Sequence, residues 1–213
     1  TTGDVKEAAT EVTKGQDTVL GKAIAIYDYI VETGERDPTI EGCGIGDVEA
    51  LLKNLSGKCA DINPVFVAMA RSVGVPAREI LGTRIAKEGD ISGAYHCRTE
   101  FYLPGYGWVP VDPSDVLKFH LVNECAKDDP ELIEAQQYLF GAQTETYIDF
   151  YHGRDVILNP AQDGDKLNYF MYPYAEVDGK PLAFENPGHP VSQEGLEYVV
   201  TYEEIVGSTL WLW

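Results

Sequence analysis

Apolar residues recur every three or four positions through the first third of the chain, which is the spacing of helices with one buried face. This spacing predicts helices over residues 4–14, 18–33, 48 to about 57, and 59 to about 73. Asp17 and Asp47 are the predicted caps of the second and third helices, and Gly34 holds the place of a left-handed end residue. Pro64 lacks the amide that an interior turn uses, so the fourth helix must begin close to Cys59.

From residue 78 onward, the pattern changes to the alternation typical of strands. It predicts strands over residues 78–85, 95–103, 107–111, 144–151, 167–177, 181–184 and 196–202. Pro104-Gly105-Tyr106 is the predicted turn between the second and third of these strands. A helix start at Asp129-Pro130 predicts one further helix, to about Phe140. Helices followed by strands, one helix and more strands indicate an α+β fold with an antiparallel sheet.

Composition narrows the possible partners. The 213 residues fit one domain, and 35 acidic residues against 16 basic ones give a formal charge of −19. Such a surface repels phosphate backbones and anionic lipids, so we expect no nucleic acid and no membrane surface as partners. No apolar run approaches the ~20 residues of a membrane-spanning helix, so we expect no membrane insertion. The oligomeric state does not follow from the sequence.

Four cysteines, Cys43, Cys59, Cys97 and Cys125, are too few and too scattered for a disulfide scaffold. No C-x-x-C spacing occurs, and His96 and Cys97 are neighbours that point to opposite faces of a strand, so we expect no metal and no cofactor. If Cys59 is a free thiol, the other three cysteines are enough for one disulfide bridge, such as Cys43–Cys97. Together with the acidic composition, it favours a periplasmic or secreted protein, with the reducing cytoplasm as the alternative.

Cys59, His96 and Asp112 form the candidate chemistry of the chain. A cysteine in the first turn of a helix is favoured as the thiolate, and its own amide could serve an oxyanion. If Tyr102 lies opposite Trp108 in the hairpin, His96 and Asp112 are diagonal neighbours on one sheet face. Each residue also has a non-catalytic interpretation. Cys59 would be a small buried residue, His96 a half-exposed polar residue, and Asp112 a carboxylate that caps the turn before Pro113. Asp115 is a weaker candidate for the role of Asp112.

Two segments carry a family resemblance: GKCADINPVFVAMARSVGVPAR at residues 57–78 and YHCRTEFYLPGYGWVPVDPSD at residues 95–115. In order and spacing, they resemble the transglutaminase-like superfamily of cysteine enzymes. The resemblance implies a papain-like fold in which the nucleophile helix packs on an antiparallel sheet. It also implies that Cys59 is the nucleophile, His96 the base and Asp112 the orienting acid. It covers residues 17–118, so we predict a core there, an N-terminal helix at 1–16, and a helix and strands at 119–213 that extend the same domain.

The implied activity is acyl transfer from an amide through a thioester, on a peptide or protein substrate. Because no calcium loop is evident, we expect hydrolysis rather than crosslinking. Tyr95, Arg98 and Trp108 are the expected substrate-binding residues, and Tyr27 or Tyr29 could supply a second oxyanion donor. Since the superfamily contains inactive members, the alternative is a non-catalytic module that binds a peptide or protein.

Overall fold

The computed structural model of the chain describes residues 3–40, 42–85, 88–142, 146–182 and 198–204. The helices in these ranges are α1 (Asp4–Val12), α2 (Val19–Thr33), α3 (Val48–Leu51), α4 (Cys59–Ser72), α5 (Pro113–Asn123) and α6 (Pro130–Tyr138). The strands are β1 (Glu35–Arg36), β2 (Ser56–Gly57), β3 (Ala77–Arg84), β4 (Gly89–Asp90), β5 (Tyr95–Leu103), β6 (Gly107–Val111), β7 (Tyr147–His152), β8 (Glu176–Val177), β9 (Lys180–Pro181) and β10 (Thr201–Tyr202).

The main sheet is antiparallel and has the strand order β6-β5-β3-β7. In the β5–β6 hairpin, Tyr102 faces Trp108 and Thr99 faces Val111, so the predicted register is confirmed. Strand β7 pairs with β3, and a bulge between Leu81 and Gly82 shifts the register there. The predicted α+β class with an antiparallel sheet is confirmed.

Helix α4 packs across β5 and β3 and carries the centre of the core. Its side chains Ile62, Phe66 and Met69 are fully buried, and Phe66 meets Phe101 of β5 with ring centroids 6.3 Å apart. Burying each such side chain contributes about 1.5–3 kcal/mol, so this contact fixes the helix firmly on the sheet. The residue at the start of α4 is thereby held against the first residues of β5, Tyr95 and Cys97.

Helix α1 joins the same core through Val5 and Ala9, against α2 and α4. Strand β7, which follows residue 118, lies in the main sheet beside β3. Among the described residues, no helix combines the length and hydrophobicity needed to cross a bilayer.

Several local predictions are wrong. Thr18, not Asp17, caps α2, because its hydroxyl accepts from the Gly21 amide at 3.0 Å. Gly34 has a φ of −80°, so it is not a left-handed end residue. Helix α5 was not predicted, since Pro113 after Asp112 was interpreted as a turn.

Within the described residues, little of the strands predicted near the C-terminus is formed. Residues 167–175 form only an isolated bridge between Leu167 and Val156, although the tight turn at Asp178-Gly179 does join β8 to β9. Of the described part of the strand predicted at 196–202, only β10 forms a strand. Residues 196 and 197 lie outside the described residues. The same is true of residues 183 and 184 in the strand predicted at 181–184, and of residues 144 and 145 in the strand predicted at 144–151.

Candidate active site

Cys59 is the first residue of α4, and its side chain is only 2 % exposed. Strand β2 pairs with β1 just before it, which anchors the chain at Gly57 opposite Arg36. Among the described residues, the Cys59 amide donates to no protein acceptor, as expected for the first turn of a helix. The positive end of α4 and the Cys59 amide therefore both lie close to the Cys59 sulfur.

Asp61 ties the first turn of α4 to the glycine-rich loop at residues 42–46. One of its carboxylate oxygens accepts from the amides of Ile45 and Gly46 at 2.9 Å each, and the other accepts from the Lys58 amide at 3.0 Å. A β-carbon on Gly44 would overlap this carboxylate, and the φ of Gly44 is +94°. Both facts explain why the loop is rich in glycine. Asp61 thus does more than place charge at the helix start.

Arg154 completes the first turn of α4 at a point where a helical hydrogen bond is missing. Pro64 has no amide for the carbonyl of Ala60, and the Arg154 guanidinium donates to that carbonyl at 2.8 Å. Glu79 holds the same guanidinium by contacts of 2.9 and 3.1 Å to its Nε. The ion-pair partner of Arg154 is therefore the buried Glu79, which comes from β3.

His96 lies on β5, and its Nε2 is 2.5 Å from Oδ2 of Asp112. Both side chains are buried. Asp112 is the cap of α5, where its other oxygen accepts from the Asp115 amide at 3.1 Å. Asp115 approaches the same His96 nitrogen only to 3.7 Å. Since Asp112 occupies Nε2, Nδ1 is the ring nitrogen left for the thiol of Cys59.

Asn63 holds Asp112 in place and was not predicted from the sequence. Its side chain is fully buried, one turn after Cys59 on α4. Its Nδ2 donates to Oδ1 of Asp112 at 3.2 Å and to the Cys97 carbonyl at 2.6 Å, while its Oδ1 accepts from the Ser114 amide at 3.3 Å. The signal was a polar residue on the apolar face of α4, where burial demands hydrogen-bonding partners.

The electrostatics separate Cys59 from its neighbours. Burial opposes a charge on His96, but Asp112 and Asp115 outweigh it and raise the pKa of His96 to about 9. The facing thiols of Cys43 and Cys97 and the charged His96 hold the pKa of Cys59 well below its usual range, although burial acts the other way. The site therefore favours a thiolate–imidazolium pair near neutral pH.

Cys43 and Cys97 stay protonated beside this pair. The neighbouring Cys59 raises the pKa of Cys43 to about 12, and burial raises the pKa of Cys97 well above its usual range. All four cysteines are free thiols, so the suggested Cys43–Cys97 bridge is wrong in this structure. One of the two reasons for expecting a periplasmic or secreted protein falls with it.

His96, Asp112 and Asp115 bring donor atoms within 4.8 Å of one another, which is close enough to consider a metal. Arg84 pairs with Asp115 at that point and supplies the positive charge that a cation would bring. Burial opposes it, yet His96 and Arg84 hold the pKa of Asp115 below its usual range. The negative charges of Asp112 and Asp115 are therefore balanced by His96 and Arg84.

A cavity of about 200 Å³ lies beside Cys59. Its lining among the described residues is Arg36, Gly42, Cys43, Lys58, Cys59, Arg84, Ser92, Gly93, Tyr95, His96, Lys118 and Tyr172. Of the expected substrate-binding residues, only Tyr95 lies here. The hydroxyl of Tyr27, a suggested oxyanion donor, instead donates to the Gln136 carbonyl at 2.9 Å.

The other two expected substrate-binding residues lie elsewhere. Arg98 is buried on the far side of His96, stacked over Tyr147 at 3.7 Å and paired with Asp149 at 3.0 Å. Trp108 packs against Arg78, whose guanidinium carbon is 4.1 Å from the ring centroid. Tyr147, which was not predicted, covers the His96 strand and donates to the His96 carbonyl at 2.7 Å.

A cysteine at a helix start, a histidine on an antiparallel sheet beside it and an aspartate just after the neighbouring strand are typical of the papain-like class of α+β folds. The profile of the transglutaminase-like superfamily matches residues 6–113, and the chain belongs to that superfamily. It is 41% identical over 208 residues to an uncharacterised protein of Haemophilus influenzae. That alignment covers 88% of this chain and 56% of the relative.

Two solved structures are similar in fold. One is a candidate cysteine protease of Cytophaga hutchinsonii, 18% identical with a TM-score of 0.44, over 70% of this chain and 48% of that one. The other is the periplasmic domain of TgpA from Pseudomonas aeruginosa, 20% identical with a TM-score of 0.44, over 61% of this chain and 46% of that one. The chain thus spans about half the length of the relatives it matches.

Proposed function

We propose that this chain is a thiol enzyme that cleaves or transfers amide acyl groups through a thioester on Cys59, with hydrolysis as the main outcome. The substrate is a peptide or protein. The observation that carries the proposal is the 2.5 Å contact between His96 and Asp112, formed beside a cysteine at the start of a helix. Nucleophile, base and orienting group are the three parts that such chemistry needs.

In the first half of the reaction, the Cys59 thiolate attacks the amide carbon, and the carbonyl electron pair moves to oxygen. The Cys59 amide is placed to donate to that oxyanion. His96 then gives its Nδ1 proton to the departing nitrogen, the C–N bond breaks, and the acyl group remains on sulfur as a thioester. Asp112 keeps the ring oriented throughout through Nε2.

In the second half, water enters and gives a proton to Nδ1 of His96 as its oxygen attacks the thioester carbon. Collapse of the intermediate breaks the C–S bond, releases the carboxylic acid and restores the thiolate–imidazolium pair. An amine in the place of water would give transfer instead of hydrolysis. The chemistry is the same in both cases, so the hydrolytic preference depends on which acceptor reaches the cavity.

Thiol labelling tests the proposal without knowledge of the substrate. The purified chain is treated with iodoacetamide at pH 7, and the labelled cysteines are identified by mass spectrometry. Cys59 should react faster than it does in the urea-unfolded chain, because only the folded site keeps its thiol ionised. Equal or slower labelling of Cys59 in the folded chain would count against a thiolate nucleophile.

Turnover is tested on a fluorogenic peptide library with two matched variants. Cys59→Ala should lose nearly all activity while staying folded, and Cys125→Ala, remote from the site, should keep it. Turnover that survives Cys59→Ala would overturn the mechanism. The burial of Cys59 is the feature that favours the alternative, a non-catalytic binding module. That function predicts no turnover in the wild type and unchanged partner binding after Cys59→Ala.

A further inference from the structure

The cavity beside Cys59 is strongly basic although the chain is strongly acidic. Arg36, Lys58, Arg84 and Lys118 line it, and no acidic residue does so among the described residues. The whole sequence has only 16 basic residues against 35 acidic ones. A surface of that composition would place acidic side chains around an average cavity, so this concentration of positive charge in front of the nucleophile calls for a ligand.

Three of these cations have no direct acidic partner. Arg84 pairs with Asp115, whereas Arg36, Lys58 and Lys118 form no ion pair within the described part of the chain. Asp37 and Asp115 interact with Lys58 and Lys118 only over longer distances. The Arg36 guanidinium is held instead by a neutral group, the Ser114 hydroxyl, to which its Nη1 donates at 3.0 Å. Like charges that share a cavity repel one another, and a bound anion would relieve that repulsion.

The basic residues belong to the elements that also position the candidate catalytic groups. Arg36 lies on β1, whose partner β2 leads directly into Cys59. Lys58 is the residue before Cys59, at the N-cap position of α4. Lys118 lies on α5, the helix that Asp112 caps. Their placement relative to the nucleophile is therefore set by the same backbone contacts that build the site.

We propose that the substrate is an acidic peptide whose carboxylate lies within about one residue of the amide that Cys59 attacks. This inference deepens the proposed function and rests on it. Arg36 is the main carboxylate partner, because a guanidinium presents two parallel N–H donors to the two oxygens. Lys58 and Lys118 line the same cavity and add positive charge that draws the anion towards the sulfur.

The first experiment compares matched substrates. Fluorogenic peptides that carry Glu or Asp next to the scissile amide are assayed beside their Gln and Asn counterparts, and a third set carries only a free terminal carboxylate. The acidic peptides should be turned over with at least tenfold higher kcat/KM. A preference for side-chain or terminal carboxylates identifies the source of the anion. Equal or better turnover of the neutral peptides would overturn the inference.

The second experiment needs no substrate. Cys59 is alkylated with iodoacetate, which is anionic, and with iodoacetamide, which is neutral, and the ratio of the two rates is measured by mass spectrometry, with Cys125 as an internal reference. Arg36→Gln and Lys118→Gln should each lower the ratio about threefold at low salt, the effect of one charge several ångströms away in water. Lys166→Gln, at an exposed position outside the cavity, should leave it unchanged.

The outcomes separate the two proposals. If neither reagent labels Cys59 faster than in the unfolded chain, the proposed function fails. If Cys59 reacts readily but its ratio does not respond to Arg36→Gln or Lys118→Gln, the acidic-peptide inference fails alone. Adding 0.5 M sodium chloride shortens the Debye length to roughly half of its value at physiological salt. The rate ratios of the wild type and the variants should therefore become more alike.

Discussion

Cys59 is the only one of three clustered thiols that the site favours as an anion. Cys43 keeps its proton beside Cys59, and its neutral thiol is the largest influence that holds the pKa of Cys59 low. Cys43→Ala should therefore raise the pKa of Cys59, whereas Cys43→Ser, which keeps a donor, should do so much less. The measurement is the pH dependence of Cys59 alkylation. Identical profiles for the wild type and Cys43→Ala would show that the thiol contributes nothing.

The pKa of His96 makes a separate prediction for alkaline pH. Because the folded-state pKa of about 9 lies above the ordinary value near 6.5, protonated His96 stabilises the fold fully below pH ~6.5 and progressively less as pH rises through about 9. Turnover should fall over the same alkaline range as the proton for the leaving group is lost.

NMR titration of the His96 ring checks this without a substrate. Asp112→Asn removes the carboxylate at Nε2 and should lower the pKa of His96 by about 1 unit or more. Asp149→Asn, which removes the partner of Arg98 rather than that of His96, is the matched control. A His96 pKa near 6.5 in the wild type would contradict the ion-pair description.

The hydrogen bonds of Asn63 should matter both for the stability of the fold and for the pKa of His96. Asn63→Ala leaves Asp112 and the Cys97 carbonyl each one donor short inside the protein, so unfolding should become easier by about 2–3 kcal/mol. Chemical denaturation measures this loss. A looser Asp112 should also lower the His96 pKa, which a purely structural role would leave unchanged. Asn54→Ala, at an exposed position, is the control and should alter neither quantity.

At the scale of elements, the start of α4 depends on an arginine that lies far away in the sequence. Arg154 replaces the hydrogen bond that Pro64 cannot give to the Ala60 carbonyl, so Arg154→Met should cost about 2 kcal/mol of stability and slow Cys59 alkylation. Pro64→Ala restores a backbone donor to the same carbonyl.

A double-mutant cycle isolates this exchange. In the Pro64→Ala background, the loss caused by Arg154→Met should shrink by about 1 kcal/mol, because the carbonyl keeps one partner. The remaining loss belongs to the contacts of Arg154 with Glu79, Ile45 and Asn168. Perfect additivity of the two substitutions would mean that the guanidinium does not substitute for the helical bond.

Elements with a strong repeating pattern were predictable, and those with a local exception were not. The alternation of β5 and β6 around a short turn fixed their register, since a slip by one residue would expose the buried face. Helix α5 was missed because Asp112-Pro113 suits a turn as well as a helix start. The aromatic run at 167–177 resembles a strand, but Tyr169 and Tyr172 are buried by packing against the site rather than by pairing.

At the scale of the whole molecule, order along the chain predicted which residues meet, but not what supports them. Cys59, His96 and Asp112 come together because a helix start and one hairpin register bring them there. Asn63 donates to a carbonyl 34 positions away and Arg154 to one 94 positions away, and no local pattern predicts such partners. The basic cavity was equally hidden, because its four cations come from separate elements.

The net charge of −19 makes the last prediction. Like charges repel within the compact state, whereas the ion pairs Arg78–Glu100 and Arg154–Glu79 are partly or largely shielded from salt by burial. Sodium chloride should therefore stabilise the fold, and a gain of about 1 kcal/mol would raise Tm by about 2–4 °C. Scanning calorimetry between 20 mM and 0.5 M salt, roughly a fivefold change in Debye length, measures the change in Tm.

Replacing the exposed Glu32, Glu134 and Glu203 by Gln should raise Tm at low salt and reduce the dependence of Tm on salt. A Tm of the wild type that falls as salt is added would show that ion pairing outweighs the repulsion.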